Sequence, residues 1–214
     1  MMNTIIFAGL SFIVIYFLRI EDISLNSKDI HIIQNIPEVE SILTDYKDVI
    51  GSDYDGYRGH IYRVLSYSMH YLNNNEQKQY LDVIAAALVY HDIGLWTDKH
   101  LDYLEPGCKH AKERFEGVFD QDKLDLMDGI ITYHHKFTPY EGTNAHIINA
   151  VRKADMIDFS LGLVNYGMPD RHIQLIHQNI ANNGFHMHLG EIGFRYYGYD
   201  VMRIVSELSK IFKL

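Results

Sequence analysis

The chain has 214 residues, a formal net charge of −9 and a single cysteine. That length suits one domain with one well-buried core, and the charge argues against a general electrostatic grip on a nucleic-acid polymer. One cysteine, Cys108, excludes an intrachain disulfide and a thiolate zinc cluster. Thirteen histidines are spread along the chain, and the four prolines fall outside the interiors of the long apolar-periodic segments. A mainly helical chain is therefore expected.

The first 20 residues stand apart. Residues 4–18, TIIFAGLSFIVIYFL, carry no charge and stop at Arg19. With Met1 and Met2 the segment approaches the roughly 20 apolar residues that a membrane-spanning helix needs. Arg19 and Lys28 lie on its C-terminal side, as cytoplasmic flanks do. No basic stretch precedes it, and no small-residue cleavage pattern follows, which argues against a secretory signal. The expected division is a hydrophobic N-terminal segment at 1–20, a polar linker at 21–36 and a helical domain at 37–214. A cytoplasmic domain tethered by residues 4–18 competes with a helix that covers an apolar patch, and with an over-extended translation start.

Pro37 opens a helix to Ile50, proline being suited to a first turn. GSDYDGYRG is rich in turn formers. A helix is predicted over 57–72, with His60, Val64 and Tyr67 on one face and Arg63 beside them. The next, over 76–92, is central: IAAALVY is apolar on most sides and ends in His91-Asp92, with Gly94 placed as a C-cap. Residues 96–107 read as irregular. Helices follow over 106–117, carrying His110, and over 121–135, ending in His134-His135. Asn144 is a plausible N-cap for a helix to about residue 163. Pro169 starts another to about 182, and the last runs over 190–213 with an interruption near Gly198. Strand-like alternation is weak throughout.

Several of these helices present a histidine or aspartate from an apolar setting. Buried charges are costly unless paired or metal-bound. His91 and Asp92 lie about 100° apart on a helix, so both can reach one ion. Asp155 shares a face with Ile148 and Val151, a poor place for an unpartnered carboxylate. Imidazole and carboxylate ligands drawn from separate helices suit one or two divalent ions: Mn, Fe, Co, Ni, Mg or Zn.

The ordered set His60, His91-Asp92 and Asp155, in the contexts GHIYRV, YHDIG and RKADMID, resembles the H…HD…D signature of the HD-domain superfamily of metal-dependent phosphohydrolases. The resemblance covers residues 57–159, about half the chain. It implies an all-α HD-type helical bundle with His60, His91, Asp92 and Asp155 as metal ligands. A subset of that superfamily adds two histidines and a second ion. Here His110 and His134 are available, His134 being preferred to His135 because Ile130 and Ile131 precede it at helical spacing. In that version Asp92 bridges both ions and is the residue on which catalysis turns.

Arg63, Lys136 and Lys153 are candidates to meet the oxygens of a small anionic substrate, or ordinary ion-pair partners. Asp158, one turn beyond Asp155, is a candidate to support a ligand, as is Glu105. His186 follows a tight turn. The implied activity is hydrolysis of a phosphate mono- or diester, such as a nucleotide, by metal-activated water. A di-iron oxygenase, a non-phosphate hydratase or hydrolase, and a non-catalytic nucleotide-binding regulatory module are the alternatives on the same scaffold.

Overall fold

Helices account for the regular structure of residues 30–212, which are the residues described by the computed structural model, and no strand occurs among them. In chain order they are α1 (Pro37–Ile50), α2 (Tyr54–His70), α3 (Asn74–Tyr90), α4 (Gly94–Thr97), α5 (Leu104–Phe115), α6 (Gln121–Tyr133), α7 (Ala145–Phe159), α8 (Asp170–Asn179), α9 (Phe185–Tyr197) and α10 (Val201–Phe212). A 3-10 turn, Gly51–Asp53, leads into α2.

Two helices form the centre. In α3 every residue from Val83 to Tyr90 is buried. Its start is fixed by a capping box: the Asn73 side chain accepts from Asn75 and Glu76 N–H, and Glu76 accepts from Asn73 N–H at 2.9 Å. In α2 the run from Tyr57 to Met69 is buried except at Arg58. A helix buried all round cannot be a surface element. Helix α7 packs along α2, α6 packs along α3, and α5 packs on α6. These contacts bring the C-terminal ends of α3 and α6 beside the middles of α2 and α7.

The 31–36 segment has no regular structure but is fastened to α2, through Ile33 N–H on Ser66 Oγ and Ile36 N–H on Tyr62 Oη, both at 3.0 Å. Two caps differ from expectation. Asn144 precedes α7 but stands in the left-handed region at φ 59°, and its side chain makes no capping bond; asparagine tolerates that backbone. Gly94 does not cap α3: it opens α4 with no left-handed backbone. The reason for glycine there is a close approach, because a Cβ would lie 2.6 Å from the Tyr103 carbonyl oxygen. The last expected helix is two helices, broken at Gly198 (φ 59°), and α9 begins at Phe185 directly after Gly184 (φ 80°).

Among the described residues no helix is long and apolar enough to cross a membrane. The apolar segment at residues 4–18, on which the expectation of an anchor rests, lies outside them.

Candidate metal centre

Four histidines and two aspartates from four places in the chain meet in the core. His60 comes from the middle of α2, His91 and Asp92 from the end of α3, His134 and His135 from the end of α6, and Asp155 from α7. All six are buried, and only His135, at 8 % exposure, retains a path to the surface above 2 %.

Local bonds aim the rings. His91 Nδ1 hydrogen-bonds the Leu88 carbonyl at 2.7 Å, and His134 Nδ1 bonds the Ile131 carbonyl at 2.7 Å. A carbonyl only accepts, so Nδ1 carries the proton in both rings and Nε2 is left as a lone pair. His60 Nδ1 faces Asp158 Oδ2 at 2.7 Å, which has the same consequence. Flat groups hold the rings in place: Phe185 stacks on His60 with centroids 4.1 Å apart and planes 12° apart, and Tyr57 stacks on His91 at 6.0 Å.

The freed atoms converge. His60 Nε2 lies 2.9 Å from His91 Nε2, 3.3 Å from Asp155 Oδ1 and 3.6 Å from Asp92 Oδ2. His91 Nε2 is 3.3 Å from Asp92 Oδ2, and His134 Nε2 is 3.3 Å from Asp92 Oδ1. Asp92 Oδ1, His134 Nε2 and both Asp155 carboxylate oxygens are buried without a hydrogen-bond partner. Orphaned buried acceptors of this kind call for an explanation, and two imidazole lone pairs 2.9 Å apart require a proton or a cation between them. Three groups place their ligand atoms within 4.8 Å of one another: His60, His91 and Asp155; His91, Asp92 and His134; His134, His135 and Asp155. The cluster can therefore hold a metal ion. Two helix C-termini, of α3 and α6, also end at it, and that end of the helix dipole favours a cation.

Electrostatics follow from burial and proximity. Burial alone would lower His60, but Asp155 and Asp158 outweigh it and push its pKa up to about 9. His135 is likewise opposed by burial and carried up to about 10 by Asp155 and Asp92. His91 is pulled down to about 3, by burial first and by the neighbouring histidines His134 and His60. For Asp92 and Asp155 burial works upward, yet the surrounding histidines hold both below the usual carboxylate range.

The sequence-derived set is thus partly gathered. His60, His91, Asp92, Asp155 and His134 are brought together. His110 is not: it sits half-exposed on α5 with Nε2 3.4 Å from Asp98. Its place is taken by His135, whose Nδ1 lies 3.2 Å from Asp155 Oδ2 and whose Nε2 lies 3.6 Å from Asp92 Oδ1. Tyr103 Oη hydrogen-bonds His135 Nε2 from the segment read as irregular. Arg63 is fully buried with its guanidinium on Asp158. Lys153 lies over the Tyr71 ring at 5.2 Å. Lys136 is half-buried beside His135, and burial lowers its pKa. Glu105 is exposed on α5. His186 Nε2 hydrogen-bonds the Asp158 carbonyl at 2.7 Å. Tyr103 and Phe185 had no signal in the sequence beyond being aromatic.

Comparison of the chain with protein-family models, with curated proteins and with solved structures gave no match in any of the three.

Proposed function

We propose that the cluster is the centre of a metal-dependent hydrolase that acts on a phosphate mono- or diester of a small molecule, in the manner of the HD-domain superfamily that the sequence resembles. One observation carries the metal: buried lone pairs on His60, His91 and His134 point at one another and at unpartnered oxygens of Asp92 and Asp155. A mixed nitrogen and oxygen donor set fits divalent first-row ions or magnesium. Such an ion, when bound, lowers the pKa of water and offsets negative charge developing on phosphate oxygens.

The protein's own part is separable from the ion's. His60, His91 and Asp155 form one set of donors and His91, Asp92 and His134 another, with His91 common to both. The two Asp92 oxygens face different histidines, Oδ2 towards His60 Nε2 at 3.6 Å and Oδ1 towards His134 Nε2 at 3.3 Å. The tight shell around His60 and His91 keeps bulk water from that side. His135 is the least buried member of the cluster, at 8 % exposure, and half-buried Lys136 follows it in sequence, so this is the side proposed for substrate approach, with Lys136 to meet a phosphate oxygen.

Elemental analysis of protein purified without chelator, read with a panel of phosphate mono- and diesters, tests the proposal. One or two divalent ions per chain are expected, with ester hydrolysis that Asp92→Ala abolishes. No metal uptake would refute the metal centre. Metal uptake without phosphate release from any ester would refute the phosphohydrolase, and oxygen consumption by iron-loaded protein would place an oxygenase in its stead.

A further inference from the structure

His60 differs from the other inward-facing histidines in how its back nitrogen is held. His91 and His134 use carbonyls of their own helices. His60 sits mid-helix, where backbone carbonyls are already engaged, and relies on Asp158, 98 residues away in sequence. Asp158 is itself fully buried. Its Oδ2 accepts from His60 Nδ1 and from Arg63 Nη2 at 2.9 Å, and its Oδ1 accepts from Arg63 Nε at 2.6 Å. Arg63 stands one turn after His60 on α2 and spends a third donor, Nη1, on the Ala181 carbonyl at 2.9 Å.

A buried ion pair is a weak source of stability, since desolvation offsets much of the attraction. What this one does supply is geometry. A two-point fork on a carboxylate fixes the carboxylate plane, and here the plane decides where the His60 ring points. The same chain reversal closes the other side: residues 181–186 carry the Ala181 carbonyl, the Phe185 ring stacked on His60, and His186 on the Asp158 carbonyl. Gly59 admits that reversal, because a Cβ there would lie 2.6 Å from the Ala181 carbonyl oxygen.

We propose that Asp158 and Arg63 are positioning residues of the metal centre: Asp158 keeps the proton on His60 Nδ1 so that Nε2 faces the ion, and Arg63 holds Asp158 there while tying it to the 181–186 reversal. The assignment rests on the cluster being a metal centre. It makes His60 a ligand whose aim depends on a segment that contributes no ligand of its own.

The test uses the full-length protein and the double variant Arg63→Met/Asp158→Leu, which removes both charges so that neither is left buried alone. Zinc affinity, read by chelator competition, is expected to fall by about 10- to 100-fold, the usual cost of losing a ligand's outer partner. Arg63→Lys, which keeps the charge but not the fork, is expected to fall between. Nitrogen-15 NMR of the metal-free wild type should show His60 Nδ1 bearing an exchange-protected proton. Zinc affinity unchanged in the folded double variant would overturn the assignment, as would an unprotonated Nδ1 in the wild type, a measurement that stands even where the variant fails to fold. A wild type that binds no metal yet shows the protected Nδ1 proton would remove the metal centre and leave the His60–Asp158–Arg63 geometry standing.

Discussion

Metal uptake should expel protons, and their number should report how many of the protonated histidines, His60 and His135, take an ion. In the metal-free protein His60 is pushed up to about 9, so at pH 7 it carries a second proton, on Nε2, facing the neutral His91 Nε2 at 2.9 Å. His91, pulled down to about 3, carries no second proton on Nε2 to give at that pH. Binding an ion at His60 Nε2 therefore displaces one proton. Because a raised pKa favours the protonated, metal-free form below that pKa, apparent affinity must climb with pH and level off above about 9. Over the two units from pH 7 to pH 9 the cost relieved is about 2.7 kcal/mol, or about 100-fold in affinity. His135, held up to about 10, adds a second proton only if it too takes an ion rather than remaining a partner of Asp155. Zinc affinity by chelator competition at several pH values, with calorimetry in buffers of different ionisation enthalpy, measures both quantities. Affinity that stays flat between pH 7 and pH 9, with no proton released, would refute this account of the cluster.

Three further outcomes rest on packing and on a buried carboxylate outside the cluster. Gly94→Ala should destabilise the protein by about 1–3 kcal/mol in urea unfolding, because the new methyl meets backbone of Tyr103 that has nowhere to go. Leu88→Ala empties a fully buried position on α3 and should cost about 2–5 kcal/mol in the same assay, with zinc affinity changed far less, since the carbonyl that anchors His91 belongs to the backbone. Asp53 is buried and accepts from Trp96 Nε1 at 3.0 Å and Arg195 Nη1 at 2.7 Å. Burial works against its charge, but these donors hold its pKa below the usual value. Its contribution is therefore present above the ordinary carboxylate pKa and lost as pH falls below it. The stability gap between wild type and Asp53→Asn should narrow from pH 6 to pH 3, and a gap that widened would contradict the sign.

The buried His/Asp cluster was the most legible part of the sequence, because its members break an apolar pattern: Asp155 beside Val151 and Ile148, and His91-Asp92 after seven apolar residues. Helix α1 was legible to the residue, since Pro37 and Gly51 punctuate it on both sides. His110 misled for a reason of phase. On α5 it is Gly107 and Ala111 that face the core, and the position before Ala111 is turned about 100° away, towards Asp98. His135 escaped the opposite way. It lies past the end of α6, where helical spacing no longer says which side a residue faces. Asp158 was legible as a candidate to support a ligand and Arg63 as a substrate contact or ion-pair partner, but not as partners of each other. Nothing in a sequence states that residues 95 apart share a fork.

The placing of His91 and His134 at helix ends has a physical cause. The last carbonyls of a helix have no N–H further along to receive. A histidine at the C-cap reaches back three residues to one of them, so His91 takes Leu88 and His134 takes Ile131. One bond then satisfies an orphaned carbonyl, fixes the ring's proton on Nδ1 and turns Nε2 outward along the helix axis, where the negative end of the dipole favours a cation. No second side chain is needed. A histidine in mid-helix has no such carbonyl and must import its partner, and His60 does so with a buried carboxylate and an arginine to hold it. The two arrangements predict different tolerances. Side-chain changes around Leu88 and Ile131 should leave the aim of His91 and His134 intact, while the aim of His60 should be lost through Asp158 or Arg63 alone.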